Sequence, residues 1–191
     1  MSWSYPSTVD APTFLAIAPD WSAGVAQTTT YRTDINRSRR GLEQRSQRTR
    51  RPALTMEYQW TANDAQARRR IENAVSQARG VIHVPWWPHG MLTQTEMISS
   101  TEVRLDSNPI AEEWDRDGWI YLWHRETGAE FRQVVSRNGA LITLTGAGPF
   151  LLFPAGSHAF PVRLATREAA EQINQIAHTR TADETLTFRT L

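Results

Sequence analysis

The clearest pattern in the chain is an alternation. From Ala53 to Trp60 every second residue is apolar: Leu54, Met56, Tyr58 and Trp60 fall on one side, Thr55, Glu57 and Gln59 on the other. A period of two marks a strand with one face in a core and one in solvent. The period changes after residue 62. Across NDAQARRRIENAVSQAR (63–79), Ala67, Ile71, Ala74, Val75 and Ala78 recur at helical spacing. Asn63 or Asp64 stands ready to cap this segment and Gly80 follows it, which predicts an amphipathic helix over 63–79. Val81–Val84 is a short apolar strand that runs into Pro85, Trp86, Trp87 and Pro88. Proline cannot donate to a sheet ladder, so the strand must leave the sheet there.

The second half reads as a meander. Trp119–Trp123 predicts a strand, Glu126-Thr127-Gly128 a turn and Phe131–Val135 a second strand; Asn138-Gly139 predicts a tight hairpin of type I′ before a third strand over Leu141–Thr145. In the first strand Trp119, Tyr121 and Trp123 share one face and Ile120 and Leu122 the other. A strand apolar on both faces belongs in a packed small barrel or sandwich. An aromatic face can also stack on sugar rings, which makes Trp119, Tyr121 and Trp123 candidate glycan contacts. Further strands are expected over Thr28–Asp34, within Met91–Leu105, over Phe160–Leu164 and over Thr185–Leu191. Residues 166–178 fit a short helix capped by Thr166, or a strand over Gln172–Thr179.

Together these elements describe a mainly β, α+β chain. The expected architecture is a β-sandwich-like domain of residues 25–90 and 158–191 with the flanking helix 63–79. A small β-rich subdomain, 91–157, is inserted in it. Residues 1–24 carry Pro6, Pro12, Pro19 and Gly24 between Trp3, Phe14 and Trp21, and read as an irregular arm docked on this subunit or a neighbour.

Composition sharpens this picture. A chain of 191 residues can bury roughly 70% of its unfolded surface, enough for a real core. The net charge of +1 does not describe a polycation. The absence of cysteine excludes disulfides, thiol nucleophiles and iron–sulfur clusters. All 21 basic residues are arginine, and there are eight tryptophans. These two side chains are enriched at interface hot spots. Eight of the arginines fall within residues 32–51, opposed there by Asp34 and Glu43 alone. No aromatic residues interleave with the run to stack on bases, and no zinc-finger, helix-turn-helix or RNP pattern frames it. It reads as a charged loop between strands that pairs with acidic surfaces of neighbouring subunits, not as a specific nucleic-acid site. No apolar run approaches 18 residues, so no membrane partner is expected. Nor is there a basic leader segment ahead of an apolar one, so the chain reads as a soluble product of a cytoplasm.

Catalytic patterns are missing. HExxH, GxSxG and GxxxxGK[ST] do not occur. Gly146-Ala147-Gly148 lacks a third glycine and a following helix, and His83 and His89 merely flank the tryptophan pair. Glu112, Glu113, Asp115 and Asp117 surround Trp114; a solvated acidic loop is the plain reading, a glycosidase-like carboxylate pair the sharper one. No catalytic residue, cofactor or metal ligand is assigned, and an enzyme is not expected.

Three stretches carry a resemblance. The first is TTTYRTDINRSRRGLEQRSQRTRRPALTMEYQW, with Gly41-Leu42-Glu43-Gln44-Arg45 followed by Arg51-Pro52 and a strand. The second is the 63–79 helix followed by VIHVPWWP. The third is FPAGSHAFPVRLA with the terminal LTFR strand. Together they resemble the minor tail proteins of siphophages and related tail-like particles, particularly the distal-tail or baseplate-ring class. The resemblance covers most of residues 25–191. It implies a virion structural protein, assembled in the host cytoplasm into a homo-oligomer, typically a hexameric ring. Its core would be a tail-tube-type β-sandwich flanked by one helix. Its partners would be the tail tube protein and the tail-tip or hub proteins. On this reading Arg39, Arg40, Glu43 and Arg45 are inter-subunit contacts, with Trp86 and Trp87 as packing anchors. The inserted subdomain would face the next component; in the alternative reading, the chain is a glycan- or receptor-binding module of the tail tip.

Overall fold

The computed structural model describes residues 14–16, 18–31, 33–37, 43–47, 53–62, 69, 81–97, 99, 101–109, 114, 118–146, 151–167, 174–175 and 182–190. Among them the chain is mainly β and antiparallel. The strands are β1 (Val25–Thr30), β2 (Thr33–Arg37), β3 (Glu43–Gln47), β4 (Ala53–Ala62), β5 (Val81–Pro85), β6 (Met91–Leu92) and β7 (Glu102–Arg104). They continue with β8 (Trp119–His124), β9 (Gly128–Asn138), β10 (Leu141–Leu144), β11 (His158–Arg167), β12 (Asn174–Gln175) and β13 (Ala182–Thr190). One open sheet holds eleven of them, in the order β1-β4-β13-β11-β8-β9-β10-β7, with β5 and β6 on β11 and β12 on β13.

Strand β11 is the hub. Its first half pairs β8, from His158 on Trp123 to Pro161 on Ile120. Its second half pairs β5, from Val162 on Pro85 to Thr166 on Val81, and its end pairs β13. β5 and β6 follow β11 as one interrupted strand. Pro85 faces Val162 and Met91 faces Ala159, so Trp86–Gly90 loop out opposite Phe160 and Pro161 alone. The departure at Pro85 is the one that proline dictates. The excursion closes as a 3₁₀ turn over Trp87–His89, and the Trp86 N–H still donates to the Pro161 carbonyl at 2.7 Å.

The alternation in β4 behaves as its period requires. Leu54, Met56, Tyr58 and Trp60 are buried, while Glu57 and Gln59 are exposed. With Ile82, Val84, Trp86, Trp87, Tyr121, Phe160, Val162 and Phe188 they build the larger core cluster, which Leu15 joins from the arm. A second cluster gathers Met97, Val103, Leu105, Trp114, Ile142, Leu144 and Phe153 around Ile120 and Leu122. β8 thus serves both cores, Tyr121 on one side and Ile120 and Leu122 on the other.

Four local expectations need correction or completion. The arginine-rich segment is not a simple loop. β2 and β3 pair in register from Thr33 on Gln47 to Arg37 on Glu43, as a separate two-stranded sheet. The hairpin after β9 begins one residue later than predicted: Asn138 pairs Leu141, and the two-residue turn is Gly139-Ala140, with Gly139 at φ +61°. That left-handed conformation is one that glycine adopts without a Cβ clash. Within the ambiguous 166–178 stretch, Thr166 and Arg167 continue β11, and Asn174–Gln175 pair with Asp183 and Ala182; at Asn174–Gln175 the strand alternative is correct. Of the expected helix over 63–79, Arg69 is described and is helical, and the rest lies outside the described residues.

Candidate functional site

A cleft of about 480 Å³ opens on the larger core's side of β8 and β11. The pairing of the two strands builds its wall. Trp123 lies opposite His158 and Tyr121 opposite Phe160, and side chains on directly paired residues of one face meet across the ladder. The ring centroids are 5.4 Å apart in the first pair and 6.3 Å in the second. His158 and Phe160, two residues apart on β11, lie nearly parallel at 8° and 6.0 Å. Trp87, delivered by the 3₁₀ turn, makes T-shaped contacts with both Phe160 (4.8 Å, 68°) and Tyr121 (5.7 Å, 83°).

The arm supplies further lining. The Leu15 N–H donates to the His83 carbonyl at 2.9 Å, and the Asp20 N–H donates to the Gln59 carbonyl at 2.7 Å. Between these anchors Ala16 and Ala18 line the cleft. Beyond them Asp20 closes a turn: its carboxylate accepts the Ser22 N–H at 3.0 Å and the Ser22 hydroxyl at 2.6 Å. Such Asx geometry stabilises a turn independently of the sheet. Trp21 is carried on that turn, 59% exposed, and lines the cleft. Gly90 lines it at the end of the 3₁₀ turn, where a Cβ would come within 2.3 Å of the Phe160 ring.

Polar groups are sparse. Among the described lining residues Asp106 is the one acid, and there is no arginine. Its own N–H donates to the Leu92 carbonyl at 2.8 Å, fixing the residue beside β6. His158 adds an exposed imidazole. Burial pushes the Tyr121 phenol above its ordinary range, so it enters the cleft wall as a neutral group.

The candidate glycan face is therefore divided. Trp119 is packed under the arm, with Phe14 at 4.8 Å and His83 at 5.9 Å. Tyr121, 8% exposed, belongs to the core; Trp123, 41% exposed, stays open at the cleft. Among the expected subunit contacts, Glu43 pairs with Arg37 of its own hairpin at 3.4 Å. Arg45 stands opposite Ile35 in the same hairpin; Arg39 and Arg40 lie outside the described residues. Trp86 is fully buried and Trp87 5% exposed. They anchor packing inside this subunit and leave almost no surface for a neighbour. Glu112, Glu113, Asp115 and Asp117 lie outside the described residues, and Trp114 between them is buried.

Sequence reasoning missed Trp21, Asp106, His158 and Phe160 as cleft residues. The period-two spacing of His158 and Phe160 is a strand signal, but only the β8–β11 register brings them to Tyr121 and Trp123. It also missed two buried arginines, Arg132 and Arg163, each 1% exposed. Arg132 donates to the Thr145 carbonyl at 2.9 Å and faces Glu130 at 3.7 Å. Its burial lowers the guanidinium pKa, and the Glu130 carboxylate opposes that shift.

Among the described residues no cluster of three or more His, Asp or Glu could hold a metal ion. No helix there is long and apolar enough to cross a membrane. No protein-family model matches the chain, and no curated protein matches its sequence.

Proposed function

We propose that the chain is a structural subunit of a phage tail. In this reading it forms a ring at the distal tail or baseplate and joins the tail tube to the tail tip. Its core would be a tail-tube-type β-sandwich, and its place the virion after assembly in the host cytoplasm. The observation that carries the proposal is the outer edge of β1. This strand pairs β4 over six consecutive positions without a bulge, and β4 is its one partner among the described residues. Ala26–Thr30 are all exposed, and the strand, VAQTTT, holds no charge and no proline. Monomeric proteins protect such edges with charges, prolines or bulges, because open N–H and C=O groups recruit another strand. A ring of identical subunits covers every such edge. From β1 the chain passes through Tyr31, 62% exposed, directly into the arginine-bearing β2–β3 hairpin. The edge and the hairpin are thus neighbours in sequence, and both are suited to a subunit contact. The resemblance to distal-tail proteins points the same way.

The test is light scattering and negative-stain imaging of the purified protein beside a Thr28→Lys variant. Thr28 pairs with Thr55 on the face away from the core-lining Met56, so the lysine charges the edge without entering the core. The expected result is a ring with a central lumen for the native chain and a monomer for the variant. A native chain that stays monomeric at high concentration, and forms no ring with its tail tube and hub partners, contradicts the proposal.

A further inference from the structure

We infer that the aromatic cleft between the arm and strands β8 and β11 is a binding site for a neutral pyranose, as found in a surface glycan. The inference does not rest on ring assembly: it is argued from lining residues of this chain alone.

The lining sets the ligand's charge. Among the described residues it holds Asp106 and no arginine, and the chain contains no lysine. Phosphate, nucleic acid and acidic sugars would meet a like charge at Asp106, with no arginine or lysine among the described lining residues to offset it. A neutral or a cationic ligand remains.

The arrangement of the rings decides between these two. A single ring face attracts a cation, but the sites that select one are cages of several faces turned toward one point. Here Trp87 meets Tyr121 and Phe160 in T-shaped contacts at 83° and 68°, and His158 lies nearly parallel to Phe160. These rings use their faces and edges on one another. The large indoles left open in the described lining are Trp21 and Trp123, 59% and 41% exposed, one from the arm and one from β8. A pyranose has two flat C–H faces and a rim of hydroxyls. Its faces suit two indoles. Its hydroxyls suit an acceptor carboxylate at Asp106 and an imidazole at His158, which can donate or accept. An apolar cleft of about 480 Å³ with a few convergent polar groups has the ordinary build of a small-ligand site.

The experiment is saturation-transfer NMR on the full-length protein. Its probes are methyl β-glucopyranoside, methyl β-galactopyranoside and methyl N-acetyl-β-glucosaminide, with tetramethylammonium chloride as the cationic arm. At least one pyranoside is expected to receive saturation, strongest at its ring C–H protons. That signal should vanish in both Trp123→Ala and Trp21→Ala. Asp106→Asn should weaken binding about tenfold, the lower end of the scale for one hydrogen bond to a charged group. Trp21 and Trp123 are exposed, so both variants should keep the native circular-dichroism spectrum. Three results overturn the inference: no pyranoside signal, a signal unchanged in both folded variants, or saturation of tetramethylammonium alone.

Discussion

The indole N–H of Trp86 donates to the side-chain carbonyl of Gln27 at 2.7 Å. This bond ties the loop that interrupts the β5–β6 strand to the edge strand β1, 59 positions earlier. Trp86 is fully buried, so its N–H depends on this acceptor. Gln27→Ala should destabilise the fold by about 1–3 kcal/mol, the cost of an orphaned buried donor. In urea the midpoint should fall with an unchanged slope. A midpoint equal to the native one would mean that water replaces the glutamine.

Gly90 leaves no room for a side chain beside Phe160. A Cβ at Gly90 would lie 2.3 Å from one ring carbon of Phe160 and 2.7 Å from the next. Because Phe160 is 6% exposed and wedged against Trp87, it has little room to swing. Gly90→Ala should cost about 1–3 kcal/mol as an overpacked site and shift the tryptophan emission of the cleft. Native stability with an unaltered spectrum would show that the turn gives way instead.

The two core clusters share β8 and β11. Ile120, Leu122 and Ala159 belong to one, and Tyr121, Phe160 and Val162 to the other. Strands held from both faces couple the cores. Phe153→Ala in the smaller cluster and Phe188→Ala in the larger each remove a fully buried ring, at about 3–5 kcal/mol. Each should lower a single transition, coincident in near- and far-ultraviolet circular dichroism. Two separate transitions would refute the coupling.

Alkaline pH should weaken the fold through Tyr58. Burial pushes its phenol well above the ordinary value of 10.0, and the Trp87 indole opposes that shift only in part. The folded state therefore keeps a proton that the unfolded chain releases. Stability from this source is complete below pH 10 and falls as pH rises beyond it, at about 1.4 kcal/mol per pH unit until the folded value is reached. Tyr121 is shifted in the same direction by burial. Tyr58→Phe should be less stable than the native chain at neutral pH, with the gap closing above pH 10. Parallel stability curves across that range would remove Tyr58 from the account.

Much of the fold was legible because strand signals are local. The period of two in Ala53–Trp60, the proline at position 85 and the turns around Gly128 and Gly139 each state their own geometry. The arginine-rich stretch misled because a polar run with a central glycine describes a loop and an exposed hairpin equally well. Charge says which residues face water; only a partner strand says whether they pair. The candidate site was legible in part. The alternation of GWIYLW placed Tyr121 and Trp123 on one face and also put Trp119 there, but it carried no information about what covers that face.

That division has a physical cause. The sequence by itself determined the β character, the two-sided apolar strand β8, the break at Pro85, and the exclusion of cysteine and lysine chemistry. All of these follow from residue type and spacing along the chain. The tertiary structure decided that Phe14 covers Trp119 while Trp123 stays open, that Trp86 and Trp87 turn inward, and that His158 and Phe160 stand beside Trp123 and Tyr121. Those outcomes depend on strand register and on where the arm crosses the sheet. Both are set by contacts between residues far apart in sequence, such as Leu15 with His83 and Gln27 with Trp86.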